Sequence, residues 1–191
     1  MKKWIWLAIP VVLVMWGIGQ YNKIITLDEA ATGQWANVES AYQRRADLIP
    51  NLVATVKGYA EHERETLEAV VNARSRATSV NINADDLSPE KMAEFQAAQD
   101  QLSGALSRLL VVVESYPDLK ANQNFLELQS QLEGTENRIN VERNRFNETV
   151  KTFNAKIRRF PGNIFAGMMG RERKGYFESA PGAEQAPEVE F

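Results

Sequence analysis

The sequence predicts an all-α protein: an up-and-down antiparallel four-helix bundle with long helices, preceded by one N-terminal transmembrane helix. Apolar residues recur at steps of three and four from Ile24 to Phe160, the spacing of a helix face. No segment alternates over a useful length with the period of two that a half-buried strand requires. The first uncharged run is long enough to cross a bilayer. At 191 residues the chain has room for one core of ordinary size and a short appendage.

The anchor, residues 1–22, comes first. Trp4–Asn22 is uncharged between Lys3 and Lys23, and as a helix it rises about 28 Å, close to a hydrocarbon core of about 30 Å. Trp4 and Trp6 at one end, and Trp16 and Tyr21 towards the other, suit the two headgroup boundaries. Lys2 and Lys3 can snorkel outward, and Pro10 is tolerable mid-span as a mild kink. A cleaved signal peptide is the competing expectation; Trp16 extends the apolar run and no Ala-x-Ala site follows, which favours an uncleaved anchor. Lys2 and Lys3 crowd the short N-terminal side, whereas Lys23 is the lone cation soon after Tyr21. The positive-inside bias then puts the N-terminus in the cytoplasm and the bundle outside.

The bundle, residues 23–160, follows. Its first helix is expected over roughly Tyr21–Arg45, with Ile24, Leu27, Ala31, Trp35, Val38 and Tyr42 on one stripe. Nothing between Gln20 and Thr26 stops a helix, so it can continue the anchor as a stalk. A second, about Leu48–Thr78, carries Leu52, Val56, Tyr59, Glu63, Leu67, Val70 and Ala77, with Asp47 as N-cap and Pro50 in the first turn, where its missing N–H costs nothing. If Pro50 only kinks one long helix, three helices result instead of four.

Asn81–Leu87 is a polar connection, and Ser88 before Pro89 is a helix start. The third helix repeats Met92, Phe95, Gln99, Leu102, Leu106, Leu109, Val113 and Tyr116; Leu109–Val113 is apolar all round and should be buried on several sides. Pro117 and Asp118 end it. The fourth, about Asn122–Phe160, places Phe125, Leu128, Leu132, Thr135, Ile139, Glu142, Phe146, Thr149, Phe153, Ile157 and Phe160 on a seam that stops before Pro161 and Gly162. Short connections between the later helices favour antiparallel neighbours.

From Pro161 the character changes. In the segment 161–178, Ile164, Phe165, Met168 and Met169 cluster among glycines, followed by Arg171, Arg173 and Lys174. A strap packed on the end of the bundle is the plainer expectation; a membrane or partner contact is the functional one. Ser179–Phe191 has two prolines, three glutamates and no cation, the composition of a disordered acidic tail.

Chemistry is scarce. Cysteine is absent, which excludes disulfides, thiolate metal sites and a cysteine nucleophile. His62-Glu63 begins a zinc motif, but Thr66 stands where the second histidine is needed and His62 is the one histidine of the chain. An exposed helix position among Glu61, Glu63 and Glu65 is its expected setting. There is no nucleophile elbow and no glycine-rich phosphate loop; Gly58, Gly104 and Gly134 stand isolated within predicted helices. No catalytic residue, metal or cofactor is therefore expected. Arg44 and Arg45 before Asp47, Glu114 beside the apolar Leu109–Val113 run, and Glu136, Asn137 and Arg138 within the last seam are candidates for a buried ionic and amide network that fixes helix register. Ligand binding is the alternative use of such a network.

Three stretches carry a resemblance: RRADLIPNLVATVKGYAEHERETLEAV (Arg44–Val70), ALSRLLVVVESYPDLKANQNFLELQ (Ala105–Gln129) and TENRINVERNRFNETVKTFNAKIRRFP (Thr135–Pro161), with Tyr176–Phe177 after them. In that order, behind an apolar N-terminal segment, they resemble the LemA family of bacteria over about Tyr21–Glu178. The resemblance implies a membrane-anchored four-helix bundle in the bacterial cell membrane and supplies no active site. The function expected is a membrane-tethered scaffold, without catalysis, that presents a helical face to other proteins or to copies of itself. The alternative is a membrane-shaping or lipid-contacting protein acting through Ile164–Lys174. A formal net charge of −3 gives no attraction to nucleic acid, so the expected partners are the membrane, unidentified proteins and further copies of the chain.

Overall fold

Helix-compatible sequence continues unbroken from Lys2 to Lys57, and the chain follows it as one helix, α1 (Lys2–Lys57). The structure, a computed structural model, describes residues 2–60 and 62–178, with side chains from Ile9 onward. Among these residues there are five further helices and no strand: α2 (Arg64–Ser79), α3 (Pro89–Val113), α4 (Pro117–Lys120), α5 (Gln123–Arg158) and α6 (Gly162–Met168).

The first boundary therefore differs from the expectation. Pro50 sits in the interior of α1, not in a first turn. Its missing N–H leaves the carbonyl one turn back, on buried Ala46, without a helical donor. Arg74 of α2 supplies one: its Nε donates to the Ala46 oxygen at 2.8 Å. Asp47 caps nothing and accepts from Gln43 Nε2 at 2.7 Å. The stop falls later, at Gly58, where the N–H of Ala60 closes onto the Val56 carbonyl at 2.9 Å and the chain turns before α2. The two halves of the expected second stripe thus lie on different helices: Leu52 and Val56 on α1, Leu67, Val70 and Ala77 on α2.

Cross-helix contacts fix the directions. Along α1 and α5, Gln34 meets Glu142, Arg45 meets Glu136, and Tyr59 beyond the end of α1 meets Asn122. Numbers rise on one helix as they fall on the other, so the pair is antiparallel. Ala46 faces Arg74, and Ala77 faces Gln99, so α2 returns along the distal part of α1 and α3 turns back beside α2. Four long helices, α1, α2, α3 and α5, thus alternate in direction, with α4 and α6 as short corners.

The core forms three tiers. Ile24, Phe153, Ile157 and Ala166 make the proximal one. Trp35, Tyr42, Phe95, Phe146 and Phe177 make an aromatic middle, with Trp35 against Phe95 and Phe146 at ring-centroid distances of 5.2 and 5.5 Å. Leu52, Val56, Val70, Leu109 and Phe125 belong to the distal tier.

Three expectations about burial fail. Tyr59, on the predicted second stripe, is 46% exposed because α1 ends at Lys57 and Tyr59 lies in the turn beyond it. Val111 is 70% exposed, because one face of α3 looks away from α2, and an apolar run of five residues turns one of its members outward at helical period. Phe160 is 79% exposed, because α5 ends at Arg158 and the chain turns through Phe160–Pro161 before the seam reaches it.

The predicted N-terminal transmembrane helix is not a separate element, since α1 passes through residue 22 without a break. Among the described residues, no helix is long and apolar enough to cross a membrane. The described apolar stretch Ile9–Tyr21 rises only about 20 Å, short of a core of about 30 Å. Trp4 and Trp6 lie outside the described side chains, as does the predicted tail 179–191.

Candidate functional site

Arg45 is the largest charged group in the core, 1% exposed on α1. Its Nη1 donates to Ser103 Oγ at 2.8 Å and to Glu136 Oε2 at 2.9 Å; its Nη2 donates to Gln99 Oε1 at 2.7 Å and to the Gln99 carbonyl at 3.3 Å. Gln99 in turn donates from Nε2 to the Ala77 carbonyl at 3.1 Å, and the guanidinium lies 5.1 Å from the Tyr42 ring centre. One arginine thus ties α1, α3 and α5 together and, through Gln99, reaches the end of α2. Only its Nε is buried without a partner.

Of the other expected members of this network, few join it. Glu136 does. Arg44 and Asp47 are exposed neighbours on the outer face of α1, Asn137 is exposed on α5, and Glu114 caps the end of α3 and pairs with Lys120 at the surface. Arg138 joins a second cluster around buried Glu142, which binds Arg138 Nε at 2.7 Å and Arg145 Nη1 at 3.2 Å and accepts from Gln34 Nε2 at 2.7 Å. Gln99 and Glu142 were visible as polar residues standing on apolar seams. Ser103 gave no such signal.

A third polar group fastens the C-terminal segment. Asp28, buried on α1, pairs through Oδ2 with Arg171 and through Oδ1 with Lys174, both at 3.0 Å; the Lys174 contact lacks hydrogen-bond alignment. Beyond Lys174 the chain is extended, and three side-chain amides bind its backbone as a neighbouring strand would. Asn154 takes the Lys174 N–H at 3.0 Å and returns a bond to its carbonyl at 2.8 Å. Asn147 does the same for Phe177 at 2.9 Å each way, and Gln96 for Glu178 at 2.9 Å each way. Gly175 lies so close to α3 that a Cβ would stand 2.7 Å from Pro89 Cα. Phe177 enters the aromatic tier, 5.6 Å from Phe146, with Arg143 4.8 Å over its ring.

The expected membrane or partner contact therefore divides. Arg171 and Lys174 turn inward to Asp28. Phe165 and Met169 pack on the proximal tier, while Ile164, Met168 and Arg173 face outward. At the proximal end of α1, Ile9, Val11, Val12, Leu13, Val14, Met15, Trp16 and Ile18 are all exposed, on every side of the helix. Pro10 and Tyr21 are exposed with them.

Nothing in these clusters assembles a nucleophile, its base and an oxyanion donor, and no group of three His, Asp or Glu able to hold a metal occurs among the described residues. His62 is exposed in the turn between α1 and α2, not on a helix. A cleft of about 230 Å³ borders the Arg45 network, lined by Glu39, Tyr42, Asn81, Phe95 and Gln99 among others. Burial pushes the Tyr42 hydroxyl up to about 12 against the opposing pull of Arg143 and Arg45. Burial also raises Glu39, opposed by the Trp35 indole N–H, although that N–H makes no well-aligned hydrogen bond.

The sequence model of the LemA family matches residues 34–191. Magnetosome protein MamQ 2 of Paramagnetospirillum magneticum is 25% identical over 182 residues, an alignment covering 86% of this chain and 67% of the relative. Magnetosome protein MamQ of Magnetospirillum gryphiswaldense is similar to the same extent. Protein LemA of Metamycoplasma hominis is 26% identical over 163 residues, covering 85% of this chain and 71% of the relative.

Proposed function

The chain belongs to the LemA family, and from that membership we propose that it is a non-catalytic, membrane-anchored helical scaffold. The first part of α1 holds it in a bilayer, and the bundle is presented to protein partners or to copies of itself. One observation carries the anchor: from Ile9 to Ile18 the helix exposes large apolar side chains all round, and from Ile24 onward the same helix is a wall of the bundle. A helix apolar on every side needs an apolar environment on every side. With Trp4–Ala8 before it, the uncharged stretch is long enough to span. Lys2 and Lys3 favour a cytoplasmic N-terminus and an extracytoplasmic bundle in a bacterial cell membrane.

The absence of catalysis is supported by the family description and the relatives' names, neither of which carries an activity, and by buried polar groups that are spent on one another. Site-specific photocrosslinking from the bundle surface in native membranes tests the scaffold role. A recurrent protein adduct, or a crosslink to a second copy, is expected from positions such as Val71 and Val111; lipid adducts alone from every position would contradict it.

A further inference from the structure

Resting on the anchored state proposed above, we propose that the corner between α5 and α6 is a second membrane contact: an interfacial foot in which Phe160, Ile164 and Met168 enter the lipid surface and Arg158, Arg159 and Arg173 meet anionic headgroups.

The placement comes from α6. Its residues, Gly162–Met168, carry no charge, and it is apolar on both faces. The inward face packs Phe165 and Ala166 on the bundle. Phe165 lies against the anchor itself, its ring 6.3 Å from that of Trp16, and its edge would touch a Cβ added at Gly17 at 3.6 Å. The outward face holds Ile164, 52% exposed, and Met168, 81% exposed, one turn apart, with Phe160 just before them. Helix α6 therefore stands beside Trp16, about 7 Å before Tyr21 along the axis of α1. That is inside the uncharged stretch, at the depth of about 5–10 Å where amphipathic elements settle between headgroups and acyl chains. Three large apolar side chains on one small corner, continuous with the exposed apolar surface of α1, exceed what scattered exposure explains.

Charge agrees with the depth. Arg158 and Arg159 directly precede Phe160, and Arg173 follows the corner; all three are exposed, and none makes an ion pair among the described residues. Glu172 is the one acid in the stretch 158–174, and Arg173 also borders a cleft with Asp85 and Asp86, so Arg158 and Arg159 carry most of this attraction. Exposed cations beside a lipid surface with anionic headgroups add attraction that salt screens.

The chain has no cysteine, so single cysteines carry spin labels cleanly. Full-length variants Leu13→Cys, Ile164→Cys, Met168→Cys and Val111→Cys are reconstituted in vesicles of phosphatidylcholine with phosphatidylglycerol, and accessibility to oxygen and to a nickel chelate is compared. Labels at 13, 164 and 168 should favour oxygen, and the label at 111 should favour nickel. Labels at 164 and 168 as nickel-accessible as that at 111, with the one at 13 still in lipid, would overturn the foot alone. An aqueous label at 13 would overturn the anchor and the foot together. Dipolar broadening at 164 and 168 would place a second copy of the chain there and overturn the lipid contact.

Discussion

Pro50 and Arg74 are a matched pair: the proline orphans the Ala46 carbonyl in the middle of a 56-residue helix, and the arginine from α2 satisfies it. Arg74→Met should cost about 1–3 kcal/mol, the penalty of a buried unpartnered acceptor. Restoring the N–H with Pro50→Ala should remove most of that cost, a coupling that urea denaturation of the four proteins of the cycle measures. Arg45 is the opposite case, a buried charge with several partners. Gln99→Leu, which strips the bond from Nη2 to Gln99 Oε1 and the Ala77 contact but leaves the Gln99 carbonyl in place, should destabilise by about 1–3 kcal/mol. Glu136→Gln should cost under about 1 kcal/mol, because Glu136 is half-exposed and solvent screens the pair. The hydroxyl of Tyr42 titrates near 12 instead of 10.0, so the folded chain holds that proton more tightly than the unfolded one. Its contribution is complete below about pH 10 and lost as pH rises through about 12. The ultraviolet titration of the five tyrosines should end with one late step that Tyr42→Phe removes. Polar residues on apolar seams made Gln99 and Glu142 legible from spacing; Ser103 and Arg74 were not, because what they satisfy is a group on another helix.

At the scale of elements, the four long helices were legible because each keeps an apolar stripe at helical period. The first break was misplaced because a proline signals a stop only when no neighbour replaces its lost hydrogen bond. The strap was less legible still. An extended segment announces itself by alternation when another strand pairs with it, but here Asn147, Asn154 and Gln96 pair with it from helices, and single amides on helices look like surface residues. The sequence placed its apolar residues at the end of the bundle; the structure runs its last part along α3 and α5 into the aromatic tier. Phe177→Ala should cost about 3–5 kcal/mol as a large-to-small change in a packed core. Gly175→Val should unseat the same segment, since its Cβ would meet backbone at Pro89. In both variants, hydrogen exchange at the Lys174, Phe177 and Glu178 amides should accelerate while amides in the middle of α3 stay protected.

For the molecule as a whole, α1 changes character along its length. Its proximal turns are apolar on all sides, its distal turns on one, and the helix runs from Ile18 to Ile24 without a break, through Gly19. A bundle continuous with that helix takes its direction from it, which fits the proposed role as an anchored scaffold. His62, exposed in the turn at the far end, is expected to be dispensable: His62→Ala should change stability by under about 1 kcal/mol. Exhaustive chelation should likewise leave the melting temperature unchanged. The most direct test of the anchored bundle is to wash membranes holding the full chain with alkaline carbonate and take the intact mass of what remains. Full-length protein, with Met1 or Lys2 at its N-terminus, should stay with the lipid. Release into the supernatant, or a retained species beginning at Gln20, would contradict an uncleaved anchor continuous with the bundle.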